Sequence, residues 1–128
     1  MRLLLDTQLV LFLSIQPERV SAECRDLVLD NANEVAFSVI NLWEIAIKRG
    51  LGRPDFQYDP RVIRRWFISE NYTELPVSGE HALAVENLPP IHRDPFDRLL
   101  IAQAASEGLT LLTTDGKIAS YPGDIRRV

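Results

Sequence analysis

Carboxylates recur in this chain where apolar segments begin or end. Asp6 follows the apolar run 2 to 5, and Asp115 follows the run 109 to 113. Asp94 and Asp97 open a strongly apolar segment that extends to Glu107, and Glu44 stands among Leu42, Trp43, Ile45, Ala46 and Ile47. Four sequence-distant segments therefore supply acids. If the fold gathers them, their mutual repulsion must be offset, and a divalent cation is the simplest means. Mg²⁺ takes hard oxygen ligands, keeps several waters and needs few protein carboxylates. An ion held in this way lowers the pKa of bound water and stabilises charge on a phosphodiester during transfer.

Each acid also has a structural use. Asp6 can accept backbone N–H bonds in a turn. Asp94-Pro95-Phe96-Asp97 reads as N-cap, N1, N2 and N3 of a helix, so Asp94 caps and Pro95 takes its favoured place. Asp97 at N3 complements the helix dipole, an effect of about 0.3–1 kcal/mol. Asp115 can cap a short helix, and Glu44 can pair with Lys48 one turn on. Glu44 is nevertheless unusual, because a carboxylate beside so much apolar surface suggests a purposeful charge.

Other chemistries find little support. His81 and His92 stand apart from any Ser or Cys at a telling spacing. With two His and the single Cys24, neither a disulfide framework nor a His/Cys zinc site is expected, and Cys24 reads as a core filler. Gly50-Leu51-Gly52 is too short for a phosphate-binding loop, and no GxGxxG or Walker pattern is present. Trp43, Trp66 and the Phe residues lie at core spacing and read as packing rather than as base-stacking platforms.

The elements that must position these acids can be read coarsely. The 128 residues, 46% hydrophobic and 25% charged, suit one globular domain spanning 1–128. Strands are expected at 2–5, 35–37, 74–77, 109–113 and 124–127. Helices are expected from Gln8 to about Ser14 with Thr7 as cap, then at 17–31, 39–49, 61–70, 79–87, 95–107 and 115–120, with a loop over 50–60. Strands alternating with helices predict an α/β fold: three layers, α/β/α, around a mostly parallel sheet. Ligands in such folds sit at the carboxyl ends of the strands. No apolar run is long enough for a membrane span, and the start does not resemble a signal or transit peptide, so a cytoplasmic location is expected. The net charge of −4 lacks the basic excess usual in nucleic-acid binders.

Four segments taken together resemble the PIN domain, and more narrowly the VapC-type toxins of bacterial toxin–antitoxin pairs. They are Leu3-Leu4-Leu5-Asp6-Thr7, the stretch from Ser38 to Lys48, the stretch from His92 to Ala104, and Leu111-Leu112-Thr113-Thr114-Asp115. The third is the most specific, and the order and coverage match across nearly the whole chain. The resemblance implies a PIN-like fold and a metal-dependent endoribonuclease using Mg²⁺, with Mn²⁺ able to substitute. It implies catalytic acids at Asp6, Glu44, Asp97 and Asp115, with Asp6 and Asp97 as direct metal ligands. It also implies Thr7 and Thr114 orienting the carboxylates, Arg93 and Arg98 meeting RNA phosphates, a cognate antitoxin and a homodimer. Close relatives often carry His where this chain has Gln8. Two rivals stay open: a catalytically silent binding module of the same fold, and an aspartyl-phosphate phosphotransfer enzyme. The second is weakened because Gln8 stands where such enzymes usually offer another Asp.

Overall fold

The computed structural model describes residues 1–128. Five strands, β1 (Arg2–Leu5), β2 (Glu34–Ser38), β3 (Thr73–Leu75), β4 (Thr110–Thr113) and β5 (Ile125–Arg127), form one sheet in the order β3-β2-β1-β4-β5. Every neighbouring pair is parallel. Seven α-helices accompany the strands: α1 (Thr7–Ile15), α2 (Ala22–Leu29), α3 (Val39–Gly50), α4 (Pro60–Ser69), α5 (Gly79–Ala84), α6 (Pro95–Glu107) and α7 (Gly116–Ala119).

Strand alternation divides the apolar residues into two layers. Leu3 and Leu5 of β1, Val35 and Phe37 of β2, and Leu112 of β4 pack with α1, α2 and α4 on one face. Leu4, Ala36 and Leu111 point the other way and pack with α6 and Ile118 of α7. Helix α3 contributes to both layers through Ile45 and Ile40. Leu3, Leu4 and Leu5 are all fully buried, as a central parallel strand covered on both faces requires. This is the expected three-layer α/β/α arrangement, with a sheet that is wholly parallel.

The strand order reverses at β1. Beyond it β2 and β3 lie to one side, β4 and β5 to the other. Chain connections leave the carboxyl ends of β1 and β4 in opposite directions, which opens a crevice between them. Asp6 and Asp115 follow those two strand ends.

Three local expectations are corrected. Asp6, not Thr7, caps α1: its Oδ1 accepts from Leu9 N at 2.8 Å, while Thr7 is the first helical residue. The helix expected over 17–31 is broken. A 3-10 turn at Pro17–Arg19 ends at the buried Val20, whose backbone is extended, and α2 starts afresh behind the Ser21 cap. The helix expected over 79–87 stops at Ala84 and tightens into a 3-10 turn at Val85–Asn87. No helix is long and apolar enough to cross a membrane.

Candidate acidic site

A cleft of about 320 Å³ lies at the crevice. Five carboxylates line it: Asp6, Glu44, Asp94, Asp97 and Asp115. Lys48 is the only Lys or Arg among its lining residues, which also include Thr7, Gln8, His92 and Thr114. The four acids read from the sequence as one group are thus brought together by four elements.

Asp6 is buried at the end of β1. Its Oδ2 accepts from Thr113 Oγ1 at 2.6 Å and from Thr114 N at 3.3 Å, so β4 fixes the carboxylate that β1 presents. Burial pushes its pKa above the usual carboxylate value against these bonds, and the nearby Asp115 adds to the rise. Thr113 Oγ1 in turn accepts from Asp115 N at 3.0 Å, so one hydroxyl ties two acids together. Asp115 also caps α7, accepting from Lys117 N at 2.7 Å.

Glu44 is buried on α3, where a hydrogen-bond chain from Asn41 through Thr7 reaches it. Ser38 and Asn41 form a capping box at the start of the helix. Asn41 Nδ2 donates to Thr7 Oγ1 at 3.0 Å, and that hydroxyl donates to Glu44 Oε1 at 2.6 Å. Lys48, one turn on, pairs with Oε2. Asp97 sits in the first turn of α6, which Asp94 caps through Phe96 N and Asp97 N. Its Oδ2 lies 2.8 Å from His92 Nε2. Burial pushes Asp97 up to about 6; Asp94 and Glu44 add to the rise, and the His92 contact opposes it.

A family model for the PIN domain matches residues 3–124. The chain belongs to the PIN domain family. Solved structures share its fold at low identity. VapBC2 from Rickettsia felis, bound to a promoter DNA fragment, has a TM-score of 0.74 at 18% identity. VapBC from Salmonella typhimurium, bound to DNA, has a TM-score of 0.68 at 17% identity. VapBC-5 from Mycobacterium tuberculosis, a member of the VapBC family of toxin-antitoxin systems, has a TM-score of 0.61 at 22% identity. In all three cases the match covers 99% of this chain and 98% of the other. No curated protein matches by sequence.

In this PIN domain the donor set suits a hard divalent cation. The cleft offers carboxyl oxygens from five acids beside the imidazole of His92, has room for water, and holds one ammonium. His92, Asp94 and Asp97 also bring ligand atoms within 4.8 Å of one another.

Other expected residues lie elsewhere. Thr114 lines the cleft, but the side chain that orients Asp6 is Thr113; Thr114 contributes its backbone N–H. Arg93 and Arg98 are absent from the cleft and border a shallow groove with Trp43 and Leu99. Arg98 spends its donors on the loop before α6, beginning with Pro89 O at 2.9 Å. Trp43 is corrected from core to surface: it is 52% exposed and meets Phe96 edge-on at 5.0 Å between ring centroids. Cys24 is fully buried, as a core filler.

Thr113, Asn41 and His92 were not singled out for the site from sequence. The first two left signals: a Thr pair beside Asp115, and the Ser38-x-x-Asn41 spacing of a capping box. His92 left only its five-residue spacing from Asp97. His81 is structural: it is buried, receives a bond from Ser78 N at 3.1 Å, and meets Glu107.

Proposed function

We propose that this PIN domain is a Mg²⁺-dependent endoribonuclease and the toxin of a type II toxin–antitoxin pair. The observation that carries the reading is the convergence of Asp6, Glu44, Asp97 and Asp115 on one cleft at the strand switch point, with Lys48 as its only Lys or Arg. Asp6 and Asp97 would hold the ion, Mg²⁺ or Mn²⁺. When bound, such an ion supplies Lewis-acid activation of water and neutralises charge on a transferring phosphoryl group.

The chain's own residues prepare that chemistry. Thr113 and the Leu9 N–H hold the Asp6 carboxylate in one orientation. His92 does the same for Asp97. Thr7 and Lys48 fix the two oxygens of Glu44, which with Asp115 would supply further acidic oxygens for metal-bound water or a second ion. Arg93, exposed near the start of α6, is free to meet an RNA phosphate; Arg98 is committed to main-chain carbonyls and is left out of that role. With a net charge of −4, recognition rests on RNA shape or a single-stranded loop rather than on a basic surface.

The structural neighbours are VapBC assemblies, which supports a cognate antitoxin as partner. It would place an Arg or Lys in the acidic cleft. A homodimer in the cytoplasm completes the reading. The phosphotransfer alternative is disfavoured because Gln8 stands where such enzymes usually offer a second Asp. The silent-module alternative is disfavoured by the presence of all four acids.

Cleavage of total cellular RNA by the purified protein with Mg²⁺ or Mn²⁺ tests the proposal. EDTA and an Asp6→Asn/Asp97→Asn variant purified in parallel serve as controls. Discrete metal-dependent fragments absent from both controls are expected. Equal inertness of wild type and variant on all RNAs would remove the nuclease reading.

A further inference from the structure

Asp97 is held by a histidine from a loop that has no regular structure. Residues 88–94 contain Pro89 and Pro90 and lie between a 3-10 turn and α6. Two side chains fasten this loop. Arg98, next to Asp97 on α6, donates to Pro89 O at 2.9 Å, Val85 O at 3.3 Å, His92 O at 3.4 Å and Leu88 O at 3.5 Å. It also donates to the Tyr121 hydroxyl at 3.2 Å. Tyr121, buried just after α7, accepts from His92 N at 2.8 Å and donates to His92 O at 3.2 Å. The main chain of His92 is thus gripped on both its polar atoms.

We propose that Arg98 and Tyr121 are positioning residues that fix His92, and through His92 the Asp97 carboxylate, in the orientation that receives a divalent cation. The inference rests on the reading of Asp97 as a metal ligand. With Asp97 ionised, His92 Nε2 donates to Oδ2 and leaves Oδ1 for the cleft. A loosened loop would let the imidazole drift, and the carboxylate would lose its preferred rotamer. A guanidinium suits the clamp because its five N–H donors diverge in one plane; an ammonium offers three donors from one point. Partners that orient a metal ligand typically change metal affinity by about 10–100-fold when removed.

The test is Mn²⁺ binding by calorimetry on the full chain, with thermal unfolding recorded for each protein. Wild type should bind and Asp97→Asn should lose most of that binding. His92→Ala, Tyr121→Phe and Arg98→Lys should each weaken binding about tenfold. His92→Gln, which keeps an N–H donor, should recover much of the loss. Because Tyr121 acts through His92, the Tyr121→Phe/His92→Ala double variant should bind no more weakly than His92→Ala alone. A purely structural Tyr121 would give losses that multiply. Wild-type affinity in Tyr121→Phe, or multiplying losses in the double variant, overturns the positioning role while leaving Asp97 as ligand. Equal binding by wild type and Asp97→Asn overturns the underlying reading, and the clamp's purpose with it.

Discussion

At the scale of single residues, the site is a set of carboxylates held in place by hydroxyls and an imidazole. Thr113 ties two of the acids together: it donates to Asp6 and accepts from Asp115 N. Thr113→Val keeps the shape and removes both bonds, leaving Asp6 Oδ2 with only the longer Thr114 N bond and Asp115 N without its partner. A stability loss of about 1–3 kcal/mol is expected in chemical denaturation. Cleavage should fall about tenfold, as for other groups that orient metal ligands. Thr113→Ser should restore both.

Asp97 yields a pH prediction whose sign can be worked out. Its pKa rises from 3.8 to about 6 on folding. The folded chain therefore holds a proton the unfolded chain has lost, so this group favours folding most at low pH. That contribution disappears as pH rises through about 6. In metal-free protein, Asp97→Asn should unfold at a higher temperature than wild type at pH 7.5. The difference should close as pH falls toward 4. Melting curves in EDTA across that range check this, and a lower melting temperature for the variant at pH 7.5 would contradict it.

At the scale of elements, the caps and strands were largely legible. Asp94-Pro95 announces α6, and the Leu-rich run before Asp6 announces a strand buried on both faces. What escaped depends on partners far away in sequence. Thr7 looks like a cap, but its hydroxyl goes to Glu44, 37 residues on, so Asp6 caps instead. Thr113 and Thr114 are alike in sequence; only the way successive side chains turn to opposite faces at the end of β4 decides which hydroxyl meets Asp6, 107 residues away. Trp43 lies in a helix with apolar residues on several sides, and only the packed layers show that its side is left open. Arg98 beside an acid looks like a phosphate contact until the loop carbonyls it satisfies come into view.

Gly108 provides a control at this scale. It ends α6 in the left-handed region at φ 66, with no neighbour near the position a Cβ would take. Gly108→Ala should cost about 1 kcal/mol through backbone strain alone. Because Gly108 precedes β4 and the cleft lies beyond the other end of that strand, Mn²⁺ affinity should be unchanged by calorimetry.

At the scale of the whole molecule, topology does what no local signal can. Reversal of strand order at β1 places the ends of β1 and β4 beside the first turn of α6 and the middle of α3, and so gathers acids from all four. The chain is acidic, and Lys48 is the only Lys or Arg lining the cleft. RNA binding should therefore release few counterions. The log–log dependence of affinity on salt should be no steeper than about −2, at about 0.7 per phosphate contact on single strands. Fluorescence anisotropy with labelled RNA and the Asp6→Asn/Asp97→Asn variant measures this slope.

The clustered carboxylates are read here as the seat of a divalent cation. Calorimetric titration with Mn²⁺ tests this reading most directly, at pH 7.5 and again at pH 5.5, on wild type and on Asp6→Asn/Asp97→Asn. Wild type should bind at pH 7.5 and more weakly at pH 5.5, where protons compete for Asp97, and the variant should bind at neither pH. Absence of binding by wild type, or equal binding by the variant, would contradict that reading.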